Sequence, residues 1–261
     1  MGDFYDIYHN ESLLEKLDAG LNPRGDEALI EQLQATLSPP PERIVDIGCG
    51  HGGHTFALAD AFPAALVVGI DPYRPSLKAA LAARNEDDKE RIGFIDGSIE
   101  GLPFEDQSTD LIWCFDMLCH CEEPAAALLE CHRILSPSGT LLLSTATATP
   151  HMDDPTWQSL TPIGLHRPSM QRKELGKILK AVGFNIQSEE NFRSEFLEAI
   201  EKDDPGRVSS DFIRMARLTR NPAHWEKKLG KTNLPQLRAL LAYNLAILTG
   251  KLDYYSWQAS K

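Results

Sequence analysis

No stretch of this chain approaches the ~18 consecutive apolar residues of a membrane-crossing helix. The first residues, Met1-Gly2-Asp3-Phe4-Tyr5-Asp6, are acidic where a secretion signal would be basic. Both absences predict a soluble, cytoplasmic protein with no membrane partner. There is also no run of lysine and arginine interleaved with aromatics, and 38 acidic side chains against 26 basic ones leave a formal charge of −12. A polyanionic partner would be repelled, so no nucleic acid is expected. The five cysteines are an odd number without a spaced framework, as in a reducing compartment. Cys119-x-Cys121 is a poor zinc spacing, and Cys114 and Cys131 supply no matching second pair, so no metal site is expected. What remains is a small-molecule partner, bound by a monomer or homodimer.

A length of 261 residues suits one well-buried α/β domain with additions. Leu13, Leu14, Leu17 and Leu21 fall at helical spacing, and Ile30, Leu33 and Leu37 repeat the pattern after Asn22-Pro23-Arg24-Gly25. Strands are predicted at 43–47, 66–70, 92–95, 110–115 and 140–144, with helices at 52–62, 76–84 and 123–134 between them. Such alternation is the sequence form of a doubly wound parallel sheet whose ligand loops gather on one edge. The stretch Pro150 to Pro162 reads as a loop over that edge, Ser169 to Ala181 as a helix, and Phe184 to Gln187 as a sixth strand. Residues 189–250 carry helix-period leucines and alanines with no convincing strand, and Leu252 to Trp257 alternates as a last strand. The expected organisation is a helical cap at 1–40, a core at 41–188, a helical insertion serving as substrate lid at 189–250, and a closing strand at 251–261.

Arg43 to Gly53 holds the main signal. An apolar run with Asp46 two residues before Gly48, then glycines at 50, 52 and 53, is a strand breaking into a tight turn and a helix. Glycines there let a ligand lie against the backbone, and the helix start offers free N–H groups to an anion. Two cofactors compete for the turn. Gly48-x-Gly50-x-x-Gly53 satisfies the dinucleotide fingerprint, with Asp71 about twenty residues on for a ribose hydroxyl, which would make the protein a nicotinamide-dependent oxidoreductase. Asp46 favours the other. A carboxylate against the ligand would repel a pyrophosphate but hold the ammonium of S-adenosylmethionine, which has no phosphate.

Val45 to Gly52, Val68-Gly69-Ile70-Asp71, Gly97 to Phe104 with Asp110, and Ala127 to Gly139 occur in an order and spacing that resemble the class I S-adenosylmethionine-dependent methyltransferases. The likeness is to their small-molecule branch, typified by the ubiquinone and menaquinone enzymes. It covers residues 43 to about 185, with Glu174-Leu175 to Gly183-Phe184 as a weaker fifth stretch. It implies a Rossmann-like, doubly wound, mostly parallel seven-stranded sheet with N-terminal helices and a helical insertion before the last strand. Asp46, Gly48 and Gly50, with Cys49, would line the methionine end of the cofactor. Asp71, with Pro72 beside it, would hold the ribose. Gly97, Ser98 and the backbone of Ile99 would meet the adenine, and Cys114 and Phe115 would offer a backbone carbonyl to the cofactor's amine. Ser98 departs from the family's usual aspartate, so Asp96 substitutes or that contact is weaker.

Methyl transfer from a sulfonium is an in-line displacement, and a base is needed only if the acceptor arrives protonated. His120, in the loop after the fourth strand, is the candidate base, and Asp116 and Tyr5 are candidates for orienting the acceptor, with Tyr8 behind them. The plainer readings are a structural histidine, a helix cap at Asp116, and tyrosines that only anchor the N-terminus. His51 and His54 flank the glycine turn, where either could touch the cofactor carboxylate. Trp157, His166, Phe196, Phe212, Met215 and Tyr243 could face an apolar or aromatic acceptor or simply be core. Expected chemistry is methylation at N, O or C of a small metabolite; a cofactor-binding scaffold without catalysis, or another use of the sulfonium such as cyclisation, stays open.

Overall fold

The computed structural model describes residues 23–261. Tyr5, Tyr8 and the helical pattern from Leu13 to Leu21 lie outside the described residues. Strands β1 (Arg43–Ile47), β2 (Leu66–Asp71), β3 (Ile92–Asp96), β4 (Thr109–Phe115) and β5 (Leu135–Ala148) run parallel. β6 (Asn185–Arg193) and β7 (Leu252–Ser260) complete the sheet in the order β3-β2-β1-β4-β5-β7-β6, with β7 antiparallel to both of its neighbours. The chain leaves β1 toward β2 and β3, then crosses back to β4 on the other side. The carboxyl ends of β1 and β4 therefore flank the switch point, where ligands of open α/β sheets bind.

Helices cover both faces of this sheet, so its central strands read as continuous apolar runs. β4 shows the division within one strand, because successive side chains point to opposite faces. Leu111 and Trp113 join a core with Leu29, Ile30 and Leu33 of α1 (Glu27–Thr36) and Leu58 of α2 (Gly53–Ala61). Ile112 and Cys114 join the opposite core with Leu128 of the helix Pro124–Ile134 and Leu175 and Leu179 of the helix Arg172–Val182. With α3 at Arg74–Ala83, these last two helices are α4 and α6 in chain order, α5 lying between them at Asp154–Leu160.

Five elements differ from the sequence expectation, the first being β5, which runs from Leu135 to Ala148 instead of 140–144. α3 begins at Arg74 instead of 76, and Ser76 is buried in its first turn. The stretch from Pro150 to Pro162 contains α5, because the Asp153 carboxylate accepts the Thr156 N–H at 2.8 Å and Pro155 stands in the first turn, where its missing N–H is harmless. A 3₁₀ turn at Arg167–Met170 precedes α6, which starts later than Ser169. β6 runs on to Arg193 through Ser188, Glu189, Glu190 and Asn191, an edge strand whose polar residues hide it from a hydrophobic pattern.

Between β6 and β7 lie α7 (Glu195–Asp203), α8 (Ser210–Arg220), α9 (Pro222–Leu229) and α10 (Asn233–Leu248). α10 packs on α5 and α8 and buries Leu234, Leu241, Tyr243 and Ile247. Its end turns directly into β7, so it reaches the carboxyl edge of the sheet. Among the described residues no helix is long and apolar enough to cross a membrane.

Candidate active site

The turn after β1 is held from β2. Gly48 and Cys49 both donate backbone N–H groups to the Ile70 carbonyl, at 2.8 and 3.0 Å. The Asp71 carboxylate adds a second tie: one oxygen accepts the Gly50 N–H at 2.9 Å and the other the Tyr73 N–H at 2.8 Å. Gly50 has a φ of +51°, which favours glycine, and a Cβ placed on it would meet nothing within 4 Å, so its outer face is open to a ligand. Gly52 differs. Its φ is +87°, and a Cβ there would come within 2.9 Å of the Phe94 ring, so this glycine serves packing.

Asp46 is not open to a ligand as the sequence suggested. Its carboxylate is 1% exposed and accepts the Thr55 hydroxyl at 2.6 Å, beneath the turn. Burial pushes its pKa up to about 6, against the nearby His54 and the Thr55 bond, which lower it. His54 stacks its ring near Trp113 and Phe115, at 5.3 and 4.8 Å between centroids, and binds the Asp26 carboxylate at 2.6 Å. Burial lowers the His54 pKa, but the bond to Asp26 and the charges of Asp46, Asp26 and Glu27 outweigh it and raise the value overall. The bond from His54, working against burial, holds Asp26 below the usual carboxylate range.

At the end of β3, Asp96 pairs with Arg74 at 2.5 Å, the Ser98 hydroxyl donates to Glu100 at 2.6 Å, and Ile99 is fully buried. Gly97 donates its N–H to the Asp71 carbonyl at 3.4 Å, and Pro72 follows Asp71 on the same edge. Gly97, Ser98, Asp71 and Gly50 thus belong to one run of loops along β1, β2 and β3.

The β4 end carries the second group. Cys114 is buried, Phe115 half-buried, and Asp116 sits in the left-handed region at a φ of +51° although it is not glycine. Strain of this kind, worth ~1–3 kcal/mol, persists only where surroundings enforce it. Here the Asp116 N–H donates to the Ser144 carbonyl at 2.7 Å and the Tyr243 hydroxyl donates to the Asp116 carboxylate at 2.6 Å. The Tyr254 hydroxyl lies 3.2 Å from that of Tyr243. Burial raises the Asp116 pKa, and the hydroxyls of Tyr243 and Tyr254 pull it back. The next residue, Met117, packs against Gly48, where a Cβ would fall 2.6 Å from its side chain, so the β1 and β4 loops touch.

Phe115, Phe196 of α7 and Tyr254 of β7 form a ring cluster with centroids 5.2–5.9 Å apart. They line a cavity of about 290 Å³ together with Asp26, Glu27, Asp203 and His54. His120 is not among its lining residues. Its ring is exposed on the 3₁₀ turn Leu118–His120, near Gly164. Phe196 walls this cavity, and Tyr243 reaches Asp116 through its hydroxyl. Tyr254 was legible only as part of a strand; its alternation with Tyr255 is the sole sequence sign of which face it takes. Among the described residues no group of three His, Cys, Asp or Glu could hold a metal ion, and all five cysteines are free and buried.

A glycine turn at the switch point of a doubly wound sheet, tied to an acid at the end of the neighbouring strand, is the ligand-binding edge of a Rossmann-like fold. Residues 45–143 match the family model described as a methyltransferase domain. Over 109 residues the chain is 37% identical to the malonyl-[acyl-carrier protein] O-methyltransferase of Methylococcus capsulatus, a match covering 42% of this chain and 39% of that protein. It is 26% identical over 98% of its length to the sarcosine/dimethylglycine N-methyltransferase of Aphanothece halophytica, 90% of which is covered. The crystal structure of the [4+2]-cyclase SpnF superposes at a TM-score of 0.64 with 21% identity, over 90% of this chain and 80% of that one, a likeness of fold alone. Matches to the first curated relatives span only 34–39% of their lengths. Over residues 45–143 the chain is thus similar to methyltransferases that act on small molecules.

Proposed function

We propose that this protein transfers a methyl group from S-adenosylmethionine to N, O or C of a small molecule held beneath the helical insertion. The observation that carries this reading is the bond between the Asp71 carboxylate and the Gly50 N–H at 2.9 Å, beside a Gly50 face with open space. A charged acceptor at that point suits a ribose diol, and its Gly50 and Tyr73 bonds fix it before any ligand arrives. In this reading Asp71 and Pro72 border the ribose, and Gly97, Ser98 and Ile99 border the adenine. Gly48, Cys49 and Gly50 receive the methionine end, while the carbonyls of Cys114 and Phe115 accept from its amine. Asp46 acts from below, fixing the turn through Thr55. When bound, the cofactor supplies a methyl group on a positively charged sulfur.

The chain's own task is to orient the acceptor and exclude water. Positioning of this kind is worth ~7–11 kcal/mol of a barrier. Residues 1–40 serve as a cap, 41–188 as the cofactor core, 189–250 as the lid over the acceptor and 251–261 as the closing strand. Support for the lid comes from α7 and α10, which bring Phe196 and Tyr243 to the end of β4. Asp116 is the group retained for acceptor handling in place of His120, which is exposed and away from the cavity lining.

Calorimetric titration with S-adenosylhomocysteine tests the proposal. Saturable binding is expected from the intact protein, falling tenfold or more in Asp71→Ala, with no response to NADH. Absence of S-adenosylhomocysteine binding, or a preference for NADH, overturns it.

A further inference from the structure

We propose that the acceptor is an amine, that it enters the Phe115–Phe196–Tyr254 cavity as its ammonium ion, and that Tyr254 and Tyr243 carry its proton to Asp116. The inference rests on the methyl-transfer reading above and narrows its acceptor. Three observations lead to it.

The first is the lining. Three aromatic rings form one wall, and Asp26, Glu27 and Asp203 stand around them. Among the described residues the one basic side chain of the lining is His54, already paired with Asp26 at 2.6 Å. Net negative charge over aromatic faces favours a small organic cation, with cation–π attraction of ~0.5–2 kcal/mol per ring. A carboxylate or phosphate acceptor would meet the carboxylates of Glu27 and Asp203 here. A neutral apolar one would leave them without a role.

The second is continuity. Tyr254 lines the cavity and is 6% exposed, and its hydroxyl is 3.2 Å from that of Tyr243, which donates to Asp116 at 2.6 Å. The Tyr254 side chain therefore joins the cavity wall to a pair of hydroxyls that ends on a carboxylate at the carboxyl end of β4, next to the glycine turn that Met117 touches. Three separate parts of the chain, β4, α10 and β7, meet to make it.

The third is Asp116 itself, a non-glycine residue in the left-handed region. The groups facing its carboxylate are Tyr243 from α10, Tyr254 from β7, and Cys119 and His120 from its own turn. Burial raises its proton affinity, as a terminal proton acceptor requires.

An ammonium has no electron pair to give, so its proton must leave first. The ammonium N–H passes a proton to the Tyr254 oxygen, Tyr254 passes its own to Tyr243, and Tyr243 passes its own to Asp116. Both tyrosines end neutral, Asp116 becomes a carboxylic acid, and the amine is neutral. The nitrogen pair then forms the N–C bond as the methyl–sulfur bond breaks, whose electrons stay on sulfur as a neutral thioether. The product nitrogen takes over the positive charge, and Asp116 returns its proton to water.

The test uses the full chain loaded with S-adenosylhomocysteine, titrated calorimetrically with choline and with its neutral isostere 3,3-dimethylbutan-1-ol. Choline is expected to bind at least tenfold tighter, and Phe196→Leu to abolish most of the difference. Tyr254→Phe and Tyr243→Phe should bind S-adenosylhomocysteine within twofold of the unaltered protein. In ¹³C NMR the Asp116 carboxyl of Tyr243→Phe should titrate at higher pH than in the unaltered protein. Equal binding of the two isosteres, or of neither while S-adenosylhomocysteine binds, overturns the amine assignment. An unchanged Asp116 titration in a folded Tyr243→Phe overturns the proton path. Loss of S-adenosylhomocysteine binding altogether would instead condemn the cofactor reading.

Discussion

Along the carboxyl edge of the sheet, the β1–β3 side and the β4–β7 side are made of different materials. On the first, backbone N–H groups of Gly50 and Tyr73 and the carboxylate of Asp71 come from residues 50–73 and are tied together before a ligand arrives. On the second, the Asp116 carboxylate meets a tyrosine 127 residues further along the chain, and the rings of Phe115, Phe196 and Tyr254 come from three separate elements. The difference teaches where variation is cheap. A site built on a short local turn serves one ligand, whereas a site assembled from side chains on an insertion can be rebuilt for another acceptor without disturbing the first.

The comparison predicts that damage to the turn acts on stability and cofactor binding, while damage to the ring cluster acts on the acceptor. Gly52→Ala should have the largest effect, about 2–5 kcal/mol of lost stability, combining a left-handed backbone with overpacking against Phe94. Gly50→Ala, with nothing within 4 Å of its Cβ, should cost only ~1–2 kcal/mol but impair S-adenosylhomocysteine binding. Chemical denaturation and calorimetry on the pair would show whether the two glycines divide packing from binding in this way.

Asp46→Asn comes next. The native carboxyl titrates at about 6, above its ordinary value of 3.8, so the folded state binds the proton more tightly than the unfolded one. Its contribution is fully present below pH ~4 and is lost as pH rises through 6, amounting to about 3 kcal/mol. Asparagine, still able to accept from Thr55, should therefore gain on the native protein between pH 4 and 6.5 in urea melts, and the gain should level off above. A difference independent of pH would contradict the burial argument.

Asp71→Ala should weaken S-adenosylhomocysteine by about 1.5–3 kcal/mol, tenfold or more, with far less effect on stability. Asp26→Asn gives the smallest effect: the His54 ring should titrate at lower pH by NMR, since its partner's charge and hydrogen bond sustain the raised value. An unmoved His54 would mean that the charges of Asp46 and Glu27 sustain it without Asp26.

Much of the β1–β3 side was readable from sequence because its information is local. The run Arg43 to Ile47 is β1, the acid at 71 ends β2, and the alternation of strands and helices announced the doubly wound sheet. What escaped depended on distant partners. Asp46 shares its pattern with ligand-facing acids, and only the packing of Thr55 and His54 decides that it turns inward. β6 is polar because it lies at the edge, so no hydrophobic alternation marks its second half. The helix Asp154–Leu160 was masked by prolines, one of which stands where a helix tolerates it. The link from Asp116 to Tyr243 and Tyr254 could not be read from spacing, since it requires knowing that α10 leads into β7 beside β5.

A crystal structure of the protein with S-adenosylhomocysteine tests the account most directly. The account predicts ribose hydroxyls on the Asp71 carboxylate and the homocysteine portion along Gly48 and Gly50, with its sulfur turned toward Asp116. An adenosyl group seated elsewhere, or a sulfur facing away from the β4 end, would contradict it.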